Sequence, residues 1–397
     1  MNLEPSVGLS RPLTAGVVTA LVGVTSSFAV VLTGLDAVGA TRAQAASGLL
    51  VLCLTMGLAT IVLAWRHRMP ITVAWSTPGA AVLATTGMVE GGWSAAVGAF
   101  FVVAALILLT ALWPRLGRVI ARIPPSIAQA MLAGVLLPLC LAPVTGLVAN
   151  PWGVAPVLLT WLVVARLSPR WAAPAAFAAA AVVVLVHVVG TGAAFDPVTL
   201  VPRLELTAPT LTLEAVVGLA VPLFLVTMAS QNVPGVAVMR SFGYDVPWRP
   251  VMAVTGIGTA VGAAAGGHAI NLAAISAALA AAPEADPDAR RRWVAGVSTG
   301  VSALVLGGLS AALVALVAVA PDAVIPAVAG IALFAAFGSA LQQAIDDPGE
   351  RIAAVVTFLV AASGVAVAGV GAAFWALIAG LTVRSVLHAG RGRPGVR

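Results

Sequence analysis

Ile71-Thr72-Val73-Ala74-Trp75-Ser76-Thr77-Pro78-Gly79-Ala80 changes character halfway along. Its first five residues are mostly β-branched or aromatic, a strand-like run, and its last five read as the opening of a helix. Thr77 is expected to cap that helix, with Pro78 at the first helical position, where a missing N–H costs nothing. Gly266-Gly267-His268-Ala269-Ile270-Asn271 is built on the same plan: two glycines loosen the chain, and Asn271 is expected to cap the Ala-rich helix that follows. Each stretch lies within long apolar surroundings, so each helix would start at membrane depth. Its first N–H groups carry partial positive charge and find no partner in lipid, which makes them a place for an anion or a polar ligand. The plainer alternatives are a proline kink at Ser-Thr-Pro and a close helix contact at Gly-Gly.

Outward from these two stretches the chain is a membrane protein. Of its 397 residues 61% are hydrophobic and 9% charged, where a soluble domain carries about a quarter charged residues. A crossing needs about 20 apolar residues. Apolar runs at 12–34, 43–65, 71–87, 93–112, 126–148, 152–167, 172–190, 214–238, 249–266, 268–282, 293–318, 323–344, 352–369 and 371–388 give about fourteen candidates. The third and tenth are short and contain the two stretches above, so they are read as broken segments. Little chain is left for a soluble domain.

All 20 basic residues are arginine, against 14 acids. They stand mostly singly between apolar runs, without the clustered face that nucleic acid requires, so their expected partner is the anionic surface of the lipid bilayer. With the amino terminus inside, 18 arginines fall on the inner face, and Arg42 and Arg203 alone fall outside. That asymmetry supports the span list, an even number of crossings and two cytoplasmic termini. Residues 1–10 lack the order of a signal peptide, so the first span is expected to remain in the mature protein. Cys53 and Cys140 lie in apolar runs, too few and too far apart for a disulfide framework or a metal motif. No metal site or cofactor is expected. Nor is an enzyme, because no paired carboxylates or nucleophile–base arrangement falls in the membrane.

The longest irregular stretch, 191–213, contains Asp196, Pro197, Pro202, Arg203, Glu205 and Pro209, and it splits the chain into 1–190 and 214–397, seven runs on either side. Because seven is odd, a copied half must enter the membrane upside down, which is the inverted-repeat plan of many secondary transporters. The expected fold is therefore an all-α membrane protein of about fourteen segments in two inverted seven-segment repeats, joined by an extracellular or periplasmic connection at 191–213. Helix starts of opposite origin would then approach each other and make a receptor for a small carboxylate.

With the two helix starts, residues in the apolar runs supply the candidates for contact with a substrate. Ser230, Gln231 and Asn232 sit beside Pro234-Gly235, where a helix break is expected, and amides at membrane depth face a protein interior or a wet cavity. The alternative is that this cluster ends its helix at the inner surface before Arg240. Ser26 belongs to Thr25-Ser26-Ser27-Phe28 in the first run, although such hydroxyls often satisfy themselves on their own helix. Ser76, Thr77 and Gly79 form the first helix start, and Asn271 belongs to the second. Phe28, Trp75 and Phe224 offer flat apolar surface. Among ionisable residues Asp36, Glu90, Glu214 and Asp322 lie at span ends. His268 is preferred over His187 as a proton-coupling candidate, since it adjoins a helix start and can titrate near neutrality.

Taken together, the stretches 71–80, 230–235 and 266–275 resemble the BenE family of benzoate/proton symporters, along the whole length of the chain. That family is in turn similar to the uracil carriers, and the resemblance implies a core of segments one to four and eight to eleven moving against a gate of five to seven and twelve to fourteen. It implies import of benzoate or a similar aromatic carboxylate with a proton, by alternating access. Dimers occur in related folds, so a homodimer is compatible with it. Uracil carriers place substrate-binding carboxylates at positions that align with Ser230-Gln231-Asn232 and His268. Their absence here suits an anionic substrate and leaves the proton without an acidic carrier. A passive anion conductor on the same scaffold is the alternative, and accumulation against a gradient separates the two. The arginine, alanine and glycine bias points to a GC-rich bacterial genome and so to the bacterial cytoplasmic membrane.

Overall fold

The computed structural model describes residues 9–113, 123–192, 200–367 and 370–389, which are mostly helical. The first half contains α1 (Ser10–Ala37), α2 (Arg42–His67), β1 (Val73–Trp75), α3 (Thr77–Thr86), α4 (Gly92–Leu112), α5 (Pro125–Ala149), α6 (Pro151–Leu167) and α7 (Pro169–Thr191). The second contains α8 (Ala215–Ser241), α9 (Trp248–Ala263), β2 (Ile270–Leu272), α10 (Ile275–Ala281), α11 (Trp293–Gly307), α12 (Ser310–Ala318), α13 (Val324–Ile345), α14 (Arg351–Ala362) and α15 (Ala372–Ala389). Eight of these helices are long and apolar enough to cross a membrane, and α11 with α12, bent by 52°, makes a ninth. The chain is thus a multi-pass helical membrane protein. Arg115, Arg118, Arg122, Asp196, Pro197, Arg391, Arg393 and Arg397, used above for orientation and division, lie outside the described residues.

Local sequence explains most boundaries. Thr41 and Gln44 form a reciprocal capping box at the start of α2, which satisfies two otherwise orphaned N–H groups. Prolines 125, 151 and 169 stand at the first positions of α5, α6 and α7, where their fixed φ suits a helix. Facing glycines let α2 and α11 touch: a Cβ on Gly57 would meet the Gly300 carbonyl at 2.8 Å, and one on Gly300 would meet that of Gly57 at 2.6 Å. Without a hydrophobic drive between helices in lipid, such close backbone contact is a main source of cohesion.

α8 differs from expectation. The cluster before Pro234 does not break the helix, nor end it at the surface. The chain continues to Ser241, with two turns widened into π-helix at Ala215–Ala220 and Met228–Asn232. Pro222 and Pro234 stand two residues beyond these turns, and a proline cannot bond to the carbonyl four residues back and clashes with it. A wider turn relieves both problems without ending the helix.

β1 and β2 form the centre of the fold. They pair antiparallel, with Val73 opposite Leu272, Ala74 opposite Asn271 and Trp75 opposite Ile270. Ser76 N–H to Ala269 O (3.0 Å) and Ala273 N–H to Thr72 O (3.0 Å) extend the ladder at each end. Two strands leave outer backbone groups unpaired, which within a membrane would be costly. Side chains of neighbouring helices answer them. Thr60 of α2 accepts from the Val73 N–H at 2.9 Å, Thr259 of α9 accepts from the Ile270 N–H at 3.1 Å, and Asn232 of α8 accepts from the Leu272 N–H at 2.9 Å. All three side chains are buried.

The connection between the halves is less irregular in its surroundings than its prolines suggest. Its described part, from residue 200, lies across helix ends, where the Glu205 N–H donates to Ser47 Oγ, the Trp93 indole N–H to Thr207 Oγ1, and the Thr210 N–H to the Ser94 carbonyl.

Candidate functional site

The strand pairing brings the two helix starts together. A cavity of about 130 Å³ lies beside it. Its walls are the middle of α1 (Thr19, Gly23, Ser26, Ser27), β1 with the first residues of α3 (Val73 to Trp75, Thr77, Pro78), and the start of α10 (Ala273, Ala274, Ser276). Gln231 of α8, Thr299 of α11, Leu136 of α5 and Leu333 of α13 close it. The described lining includes no ionisable side chain; its polar groups are hydroxyls and one amide. Such a space, mostly apolar with a few neutral dipoles, suits a small aromatic ligand with one polar end.

Of the residues singled out from the sequence, Ser26, Trp75, Thr77 and Gln231 line this cavity. Trp75 is held by its own indole N–H, which donates to Ser27 Oγ at 2.9 Å. Ser26 bonds back to the Gly23 carbonyl at 3.2 Å, as hydroxyls in apolar helices commonly do.

The cap of α3 is Ser76, one residue earlier than expected. Its Oγ accepts the Gly79 N–H at 3.1 Å and shares a 2.7 Å hydrogen bond with Thr227 of α8. Thr77 therefore stands as the first helical residue, free of the capping task, with Pro78 following it. Gly79 is packed against Leu223, leaving no room for a Cβ. Ser76 and Gly79 thus fix where the helix begins, one layer behind the wall.

The Asn271 expectation also needs correction. Asn271 lies in β2 rather than at the start of α10, which begins at Ile275 after Ala274 with no side-chain cap. Its amide N–H donates to the Leu272 carbonyl at 3.0 Å, and its Oδ1 has no partner among the described residues. Asn232 is fully buried behind β2, with its Oδ1 on the Leu272 N–H and its amide N–H toward Met228 Sδ. Ser230 turns back to the Val226 carbonyl. Phe28 is buried edge-on against Phe177 of α7, ring centres 4.6 Å apart. Phe224 is likewise core.

His268 is fully buried beside the crossing, not on the cavity wall. Its Nε2 lies 3.0 Å from the Ser76 carbonyl. A carbonyl only accepts, so Nε2 carries the hydrogen and Nδ1 is left with a lone pair. That Nδ1 has no partner among the described residues. Among the described residues no group of three His, Cys, Asp or Glu side chains could hold a metal ion.

Sequence reasoning missed the threonines that anchor this arrangement, Thr60, Thr227 and Thr259, and the wall residues Thr19, Ser276 and Thr299. The signal for the first three is faint: a threonine within an apolar run reads as self-bonded. What recurs between the halves is the role, a helix threonine on a strand N–H, at the unequal spacings of 13 residues from Thr60 to Val73 and 11 from Thr259 to Ile270.

Comparisons with known proteins bear on the whole chain. The family model described as "Benzoate membrane transport protein", BenE, matches residues 9–386. Inner membrane protein YdcO of Escherichia coli (strain K12) is 40% identical over 378 residues, covering 95% of either chain. The benzoate membrane transport protein of Acinetobacter baylyi (strain ATCC 33305 / BD413 / ADP1) is 27% identical over 337 residues, covering 82% of either chain. Among solved structures, the transmembrane domain of a cyanobacterium bicarbonate transporter, BicA, matches with TM-score 0.57 and 16% identity, over 96% of this chain and 97% of that one. SLC26A9 matches with TM-score 0.62 and 13% identity, over 98% of this chain and 67% of that one. At such identities the likeness to solved structures is one of fold.

Proposed function

The chain belongs to the BenE family of benzoate membrane transport proteins, and from that premise we propose that it imports benzoate or a similar small aromatic carboxylate together with a proton, by alternating access. The observation that carries this reading is the cavity at the crossing: walls from both halves of the chain meet there, and only neutral dipoles face it. A carboxylate would sit toward Thr77 and Gln231, with hydroxyls and the start of α3 in place of water, and its ring would lie along Trp75. Ser26 completes the wall. Ser76, Gly79, Ser230, Asn232, Asn271 and Phe28 serve the site by holding the helix start, the strand and α1 in register.

An inverted repeat is supported by the antiparallel pairing of β1 with β2 and by the matching roles of Thr60 and Thr259. We therefore retain fourteen segments in halves 1–190 and 214–397, with a core of segments one to four and eight to eleven. The cavity favours the same division. Leu136 and Leu333 come from the gate segments α5 and α13, whereas the polar wall comes from the core, so sliding of one body past the other would open and close it. Both termini are placed inside the bacterial cytoplasmic membrane, in keeping with the arginine distribution and with the inner-membrane relative.

Proton coupling has an electrical basis. An anion entering a cell that is negative inside works against about 2.3 kcal/mol per 100 mV, and one accompanying proton removes that cost. His268 is the proton-coupling candidate, because its free Nδ1 can accept a proton while Nε2 keeps its hold on the Ser76 carbonyl at the head of α3. In proteoliposomes holding the purified protein, labelled benzoate should accumulate above its outside concentration when the outside is made acidic, and the accumulation should collapse on adding a protonophore. Equilibration without accumulation would make the protein a passive conductor.

A further inference from the structure

Besides the central cavity, a larger one of about 640 Å³ opens at the amino-terminal end of α1, and the two share a single wall residue, Leu279 of α10. Two helices carry a continuous face from one to the other. On α10 and its end, Ala282 lines the outer cavity, Leu279 lines both, and Ser276 lines the inner one. Spaced by three, these residues lie along one side of the helix. On α1, Arg11, Thr14 and Val18 line the outer cavity and Val22 and Ser26 the inner one, again at helical spacing. At the opposite end of α1 a cavity of about 470 Å³, lined in part by Asp36, Arg42 and Asp322, shares no wall residue with the central one among the described residues.

Among the described residues the outer cavity is lined by Arg11 and Arg170 with one acid, Glu284, and Trp171 beside them. We propose that it is the inner vestibule of the transport path, through which the carboxylate passes between the binding cavity and the cytoplasm: the two arginines offer the anion balancing charge at this mouth, and Leu279 is the side chain that separates vestibule from binding cavity in this conformation. The proposal rests on the reading that the central cavity holds a carboxylate. It adds a route, a cytoplasmic mouth and a barrier. Arginines at a concave mouth attract anions over a distance set by salt, without holding them tightly. A branched apolar side chain is a suitable barrier, since it can turn aside without leaving a charge unpaired.

The route is tested in oriented membrane vesicles with a membrane-impermeant, anionic methanethiosulfonate reagent and single substitutions in the full chain. Cys53 and Cys140 are buried and provide the unlabelled control. Added from the side bearing Arg11 and Arg170, the reagent should modify Ala282→Cys fastest, Leu279→Cys more slowly and Ser276→Cys slowest. Leu279→Ala should then speed labelling at Ser276→Cys several-fold, and Arg11→Gln with Arg170→Gln should slow labelling at all three, more so at low salt. Labelling of Ser276→Cys solely from the opposite side, or at a rate indifferent to Leu279→Ala, would overturn the proposal. Benzoate should protect Ser276→Cys. Labelling that follows the expected order without benzoate protection would remove the benzoate reading and leave the route standing.

Discussion

Asn232 shows what a single amide does in this molecule. It was singled out as a contact for the transported molecule, and the structure shows it holding the Leu272 N–H from behind. Asn232→Ala leaves a buried donor without a partner, which costs about 1–3 kcal/mol. The expected result is a lower melting temperature of the purified protein together with weaker benzoate binding. Gln231→Ala should differ: melting stays near that of the unaltered protein, while the benzoate concentration for half-maximal uptake rises, by about tenfold if one hydrogen bond to a charged group is lost. His268→Gln can still donate to the Ser76 carbonyl and cannot take up a proton. If His268 carries the coupling proton, this variant equilibrates labelled benzoate but no longer accumulates it under an imposed pH gradient. Undiminished accumulation would transfer the proton to the substrate's own carboxyl.

At the level of elements, the two short strands stand or fall by their flanking threonines. Thr60→Val and Thr259→Val keep shape and remove the acceptor, so each should destabilise the protein by about 1–3 kcal/mol. Because both act on one paired ladder, their combined effect should depart from the sum. A thermal-unfolding cycle of the two single variants and the double variant reads this directly. The breaks themselves were legible in the sequence, since β-branched residues before Ser-Thr-Pro and a Gly-Gly pair before the second stretch are unfavourable inside a helix. The cap was displaced by one residue because Ser76 and Thr77 can both do that task, and only the neighbour Thr227, distant in sequence, selects Ser76. Asn271 reads as a cap because a three-residue strand such as β2 cannot be told from a helix start without its partner strand. The π turns of α8 were hidden for a related reason: a proline after amides looks like a stop unless the preceding turn can widen.

At the scale of the molecule, apolar run length and arginine placement suffice for a multi-pass membrane protein, since both follow from the bilayer alone. The position of the cavity did not follow from them. It depends on which faces of α1, α5, α11 and α13 meet around the crossing, and in so uniformly apolar a chain the periodic signal that marks an inward face is weak. Hydroxyls such as Thr19, Ser276 and Thr299 therefore do not stand out in the sequence, whereas Phe28, which is buried, and Ser230, which bonds to its own helix, do.

The central claim is that a small aromatic carboxylate lies where the head of α3 and the start of α10 meet. Photolabelling of the purified, full-length protein with a radioactive azidobenzoate, followed by peptide mapping, tests it most directly. The account predicts label within 73–78 and 273–279, or on the facing stretch 19–27 of α1, and loss of that label when unlabelled benzoate is in excess. Benzoate-protected label confined to residues away from these three stretches would contradict it.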